Sequence, residues 1–216
     1  MLPLYWLTVQ TVGTAIRGGW RPEISGLEHV PSDGGVVLAS NHLSFADQLF
    51  LGAVIPRHVA FWGKKEYFTG TGPRGALNRG LMHGLGVIPV NRDGGAASTA
   101  AFESAVPVLE RGGMVAVFPE GTRSPDGRLY RGRTGALRLA QSCGVPVVPV
   151  GISGTDGVRP RDLLGRERPR VAISFGRPVD VAGADVRTAT DELMACIQRL
   201  SGQEYVPRYA EKKKAA

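Results

Sequence analysis

Short apolar runs alternate with segments of helical periodicity along most of this chain, and that alternation restricts the fold more than any other feature. GGVVLAS, from residue 34, reads as a buried strand, SFADQLFLGAVI as a helix stopped by Pro56, and HVAFWGKK as a second strand. A Gly-rich connection and a helix to about Gly84 follow, then the strand VIPVN and a helix over residues 98–111. GMVAVFP, VPVVPVGI and RVAISFG read as further strands, with helices over 134–142 and 185–200; in the latter, Val186, Leu193, Ile197 and Leu200 share a face. Strands that are apolar throughout need cover on both sides, which a parallel sheet between two helical layers provides. The expected fold is therefore α/β: a mostly parallel central sheet covered by helices on both faces, with an N-terminal amphipathic helical segment. With 216 residues, one core is the simplest division: a helical segment over 1–30, the α/β domain over 31–205 and a basic tail over 206–216.

The first twenty residues are apolar but lack both the basic start and the small-residue cleavage site of a signal peptide. Thr8, Gln10, Thr11, Thr14 and Arg17 interrupt the run, so it is too polar for a membrane span. Tyr5, Val9, Val12, Ile16 and Trp20 fall on one helical face, and Trp6 adds a second aromatic of the kind found at bilayer interfaces. Amphipathicity fits a helix lying on a bilayer and a helix packed on its own core equally well, so both readings stay open.

Chemistry concentrates in two places. In NHLSFAD, Asn41, His42 and Asp47 lie where a strand gives way to a helix, and Ser44 and Asp47 have the spacing of a capping box. On one regular helix, residues five apart diverge by about 140°. With the helix starting between them, Asp47 can reach back to the imidazole. A carboxylate on one ring nitrogen fixes the tautomer and stabilises the cation formed when the other nitrogen takes a proton. The second place is VFPEGTRS, residues 117–124, directly after a strand. There Gly121 allows close backbone approach, Arg123 offers a fork of donors suited to phosphate, and Glu120 can hold that arginine or a hydroxyl.

NHLSFAD, GVIPVNR, VFPEGTRS and VPVVPVG occur in the order and approximate spacing of the four motifs of the glycerolipid acyltransferases. The chain resembles a bacterial lysophosphatidic acid acyltransferase over residues 41–151, about half its length. That resemblance implies transfer of a fatty acyl group from an acyl thioester, either acyl-CoA or acyl carrier protein, to the hydroxyl of 1-acyl-sn-glycerol-3-phosphate, giving phosphatidic acid for phospholipid synthesis. It implies that His42 is the general base with Asp47 as its partner, and that transfer is direct, with no acyl-enzyme. Asn41, Arg92, Glu120, Gly121, Thr122 and Arg123 are implied to bind the acceptor, while Val145 and Pro146 are acyl-pocket or structural positions. Asn91 departs from the pattern, since many relatives carry an acidic residue there. Backbone amides at the helix start after His42 are candidates for stabilising the oxyanion. Another lysolipid or glycerol-phosphate acceptor is the alternative.

A net charge of +7 and a pI near 9.8 favour an anionic partner. The Arg-rich segment 159–170 contains Leu163 and Leu164 but no stacking aromatic, which suits an anionic bilayer edge better than nucleic acid and fits a solvated loop equally well. The expected partners are thus a lysophospholipid acceptor, the acyl carrier and an anionic membrane surface, with the protein peripheral on the cytoplasmic face of the cell membrane. No cofactor is expected. His29, His42, His58 and His83 form no ligand cluster, so no metal is expected either. Cys143 and Cys196 read as core residues. GTGPRG at 70–75 matches a dinucleotide fingerprint, the signature of a nucleotide-dependent oxidoreductase, but KKEYFT separates it from the preceding strand.

Overall fold

The computed structural model of the chain describes residues 3–90, 96–163 and 168–211. Helix α1 (Pro3–Thr8), a π-helical stretch (Val9–Gly13) and helix α2 (Thr14–Gly19) run on as one N-terminal helix. Strand β1 (Glu23–Ser25) leads to β2 (Val36–Ser40), helix α3 (Ala46–Val54), β3 (Val59–Lys64) and the short helix α4 (Glu66–Thr69). Helix α5 (Gly72–Gly84), β4 (Ile88–Val90), α6 (Ala96–Glu110), β5 (Met114–Val117) and β6 (Leu129–Tyr130) follow. The chain continues through α7 (Gly135–Cys143), β7 (Val147–Ser153), β8 (Ala172–Phe175), α8 (Val186–Ser201) and β9 (Tyr205–Val206).

Seven strands form one sheet in the order β1-β8-β7-β2-β5-β3-β4, parallel at every junction except β7 against β8. All five residues of β2 are buried, which is why its sequence shows no polar alternation. Val36 and Leu38 face a core shared with Ile16, Phe50 and Leu51, whereas Val37 and Ala39 face one shared with Leu109, Leu137 and Leu193. Helix α3 and the N-terminal helix thus cover one side, and α6, α7 and α8 the other.

This layering places the site. Strands β2 and β5 are neighbours, with Val36 opposite Met114. The chain leaves β2 through α3 on one face, and beyond β5 it reaches β7 through α7 on the opposite face. Where neighbouring parallel strands send their connections to opposite faces, a crevice opens at their C-terminal ends. The loops after Ser40 and Val117 meet there.

Three short strands carry no periodic signal and were not foreseen: β1, which pairs with β8, and β6 and β9, which pair with each other in parallel. The expected boundaries fall inside the fold as a result. Residues 23–25 of the N-terminal segment belong to the main sheet, and in the expected tail Val206 pairs in β9 while Ala210 is buried. Two- and three-residue strands are specified by the partner they meet, so local pattern cannot reveal them. The lysines at 212–214 lie outside the described residues.

Candidate active site

Strand β2 delivers Asn41 and His42 to the crevice. The Nδ1–H of His42 donates to Oδ2 of Asp47 at 2.7 Å, and the same oxygen accepts the amides of Leu43 at 2.7 Å and Ser44 at 3.0 Å. Oδ1 accepts the hydroxyl of Thr155. Asp47 is wholly buried, and a buried carboxylate is tolerable only with this density of donors. Asp47 takes the amide of Ser44, as in a capping box, but Ser44 Oγ accepts the amide of Ala46 at 3.1 Å and not that of Asp47, so only half of the expected box forms, and the N-cap position falls to Phe45. The His42 side chain is 14% exposed against 0% for Asp47, so the ring is reachable while its partner is not. It lies flat on Phe118, centroids 3.9 Å apart at 13°. With Nδ1 committed, Nε2 is the nitrogen free to take a proton.

The loop after β5 grips the His42 backbone from both sides. The amide of His42 donates to Oε1 of Glu120 at 3.1 Å, and the carbonyl of His42 accepts the amide of Ser124 at 2.7 Å. Oε2 of Glu120 accepts the amide of Tyr130, on β6, at 2.9 Å. Burial pushes the Glu120 carboxyl up to about 7, against the lowering effect of those two amides; the charges of Asp47 and Asp126 raise it further. Gly121 turns this loop at φ +74°, and a Cβ there would lie 3.1 Å from Nε of Arg133.

An apolar cavity of about 220 Å³ begins at His42 and Arg123. Its walls come from the N-terminal helix (Tyr5, Val9, Val12), Phe45 and Leu49 at and in helix α3, strand β3 (Phe61, Trp62) and helix α5 (Met82). The amphipathic stripe therefore divides. Tyr5, Ile16 and Trp20 dock on the domain, Tyr5 through its hydroxyl to Val59 and Arg57 and Trp20 edge-on to Phe50. Val9 and Val12 line the cavity, and Leu7 points outward, 60% exposed. Packing on the core thus holds for Tyr5, Ile16 and Trp20, three of the five residues of the stripe.

Several expected positions have other roles. Asn41, implied to bind the acceptor, is wholly buried; its amide donates to the carbonyl of Ile152 and accepts that residue's N–H, both at 2.8 Å. It pins the loop to β7. Glu120 likewise spends its carboxylate on backbone amides and does not hold Arg123. Gly121, Thr122 and Arg123 remain at the surface of the loop, and Arg123 has no hydrogen bond or ion pair among the described residues. The amides of His42, Leu43, Ser44, Ala46 and Asp47 are engaged within the protein, so of the candidate oxyanion donors from His42 to Asp47 these five are already occupied. Val145 and Pro146 precede β7, at the end of the sheet opposite His42, where Pro146 accepts the amide of Val37; they are structural. Asn91 and Arg92 lie outside the described residues, as do residues 164–167 of the Arg-rich segment. Within that segment Arg159 and Arg168 are bonded to backbone carbonyls of the protein itself. Helix α4 separates β3 from GTGPRG, which opens α5, so no strand runs into those glycines. Both cysteines are free, and neither lines the cavity. Among the described residues no three His, Cys, Asp or Glu side chains gather as metal ligands would.

Comparison with known proteins fits this geometry. The Acyltransferase family profile matches residues 21–153. The chain is 31% identical over 182 residues to the chloroplastic 1-acyl-sn-glycerol-3-phosphate acyltransferase BAT2 of Brassica napus, covering 81% of this chain and 51% of that protein. The 1-acyl-sn-glycerol-3-phosphate acyltransferase of Bacillus subtilis is 30% identical over 189 residues, 87% of each. The chain spans about half the length of the plant and mammalian relatives, as against nearly all of the Bacillus protein. In fold it is similar to the crystal structure of the 1-acyl-sn-glycerophosphate acyltransferase PlsC of Thermotoga maritima, with TM-score 0.68 and 24% identity over 89% of this chain and 76% of that one. By the profile match and by these relatives, the chain belongs to the Acyltransferase family, among the 1-acyl-sn-glycerol-3-phosphate acyltransferases.

Proposed function

We propose that the protein transfers a fatty acyl group from an acyl thioester to the free hydroxyl of 1-acyl-sn-glycerol-3-phosphate. The observation that carries this is His42, which is oriented by buried Asp47 through Nδ1 and lines a mostly apolar cavity together with the cationic Arg123. The names of the relatives support the acceptor. In the proposed step Nε2 takes the proton of the acceptor hydroxyl as its oxygen attacks the thioester carbonyl. The tetrahedral oxyanion then collapses, the C–S bond breaks, and the leaving thiolate takes the proton from the imidazolium. The thioester is already activated, so the reaction needs no cofactor. Coenzyme A and acyl carrier protein both present the same thioester on a phosphate-bearing arm, and a basic protein suits either.

No helix of the described residues is long and apolar enough to cross a membrane. Leu7, Val12, Phe45, Leu49, Leu77 and Leu81 are exposed on the elements that wall the cavity. An apolar rim around an apolar cavity, on a basic protein, supports docking at an anionic bilayer surface. From there an acceptor tail reaches the site without crossing water, which costs about 0.8 kcal/mol per CH₂. Thiol release from acyl-CoA and from acyl carrier protein, measured with several lysolipids in vesicles, tests the reading. Turnover only with lysolipids lacking a terminal phosphate would replace the acceptor, and no turnover with any pair would end the proposal.

A further inference from the structure

We infer that Thr155 is a positioning residue for this transfer, its hydroxyl holding the carboxylate of Asp47 in the plane that aims His42. The inference rests on the general-base reading of His42. All three N–H donors to Asp47 converge on Oδ2, so they fix one oxygen and leave the other to define the rotation of the carboxylate. The hydroxyl of Thr155 is the donor on Oδ1. It belongs to none of the four sequence blocks and lies 108 residues from Asp47 in the chain.

The surroundings show that this hydroxyl is held in place rather than merely nearby. Thr155 is wholly buried and starts a single 3-10 turn, Thr155–Gly157, after β7. Its own carbonyl accepts the Ser44 hydroxyl at 2.9 Å, so the turn grips Ser44 and the Asp47 carboxylate together. Gly154, just before it, has φ +78°, and a Cβ there would fall 1.9 Å from the carbonyl of Arg170. Only glycine brings the chain through that point. One residue further on, a β-branched side chain with few rotamers presents its hydroxyl inward. The charged or titratable groups facing Asp47 are His42, bonded to it, and Glu120, which feels its charge; Ser44 and Thr155 bring neutral groups.

Loss of the hydroxyl should have two effects that packing alone would not produce. The carboxylate becomes free to turn, so the ring is aimed less well and kcat falls. Its charge is also less dispersed, so it holds the imidazolium more tightly, and the acid limb of kcat/KM moves to higher pH. Thr155→Ala and Thr155→Ser in the full chain form the decisive pair, because both lose the methyl and only alanine loses the donor. We expect kcat of the alanine variant to be about tenfold or more below that of the serine variant, the usual size of a bond to a charged group. KM for acyl-CoA and for 1-acyl-sn-glycerol-3-phosphate should change by less than about twofold. The acid limb should rise in the alanine variant alone. Equal kcat and equal acid limbs in the pair, with His42→Ala inactive, would overturn the role of Thr155 and leave the base intact. Full activity of His42→Ala would instead overturn the base, and the inference with it. Thr155→Val, which keeps the shape, guards against a folding defect: if alanine melts early and valine does not, valine replaces it in the comparison.

Discussion

The His42 loop and the N-terminal helix meet at the same cavity but are held very differently. The loop is fixed by bonds that cross the sequence: Asn41 to Ile152, Ser44 and Asp47 to Thr155, and His42 to Glu120 and Ser124. Nearly every polar group in it is committed. The helix rests on a few side chains, chiefly Tyr5, Ile16 and Trp20, and on the guanidinium of Arg17 bonded to the carbonyl of Ala53. Its middle is π-helical, and there Val9 and Val12 line the cavity. Aiming a proton requires a rigid geometry, whereas a wall that admits a chain must be able to part. One mouth is therefore built from an over-determined side and a lightly docked one.

The largest effect should come from the rigid side. His42→Ala should lower transfer by about 10² to 10⁴, since on the proposed mechanism the ring removes the acceptor's proton, with a smaller loss of stability from the stacking on Phe118. Activity within about tenfold of wild type would show that another group is the base. Arg123→Ala comes next. Arg123 has no partner to lose among the described residues, so its removal should raise KM for the phosphorylated acceptor by about ten- to a hundredfold with little change in stability. Initial rates against acceptor concentration decide this, and an unchanged KM would place the phosphate elsewhere.

The lightly docked side separates into two faces. Tyr5→Phe removes the acceptor for the buried Val59 amide and should destabilise the protein by about 1–3 kcal/mol without altering vesicle binding. Leu7→Glu should do the reverse, weakening co-sedimentation with anionic vesicles while the melting curve stays put. Loss of stability without loss of sedimentation for Leu7→Glu would make this face part of the core. The smallest effect concerns Glu120, whose carboxyl is raised from 4.5 to about 7. Because the raised value favours the protonated folded form, this contribution is complete below pH 4.5 and is lost as pH climbs through about 7. The stability of wild type relative to Glu120→Gln should therefore shrink over that window, by a few degrees in melting temperature. A difference that instead grows with pH would mean that the two amides outweigh burial.

The residues legible from sequence were those whose chemistry is local. The layered fold followed from apolar strands such as GGVVLAS, and His42 and Asp47 could be paired because a helix start between them allows only a short reach. Glu120 was legible as a residue but not in its geometry: its partners are backbone amides at positions 42 and 130, and backbone amides leave no mark in a sequence. Asn41 was implied as a ligand by the family resemblance alone, while its partner Ile152 is 111 residues away. Thr155 and Phe118 were overlooked for the same reason, since only the neighbouring of β7 and β5 with β2 brings Thr155 to the Asp47 carboxylate and Phe118 to the His42 ring.

The parallel clip of β6 on β9 has a consequence for the order in which a chain is made. Ribosomes release the amino end first, and domains fold as their segments emerge. Residues 42 and 47 are free early, Thr155 much later, and Glu120 keeps its second oxygen satisfied only through Tyr130, on the strand that Tyr205 and Val206 complete. A nascent chain arrested before residue 205 carries every motif of the site and still lacks the strand that steadies its clamp. The support of Glu120 is therefore completed only after every motif residue has been made.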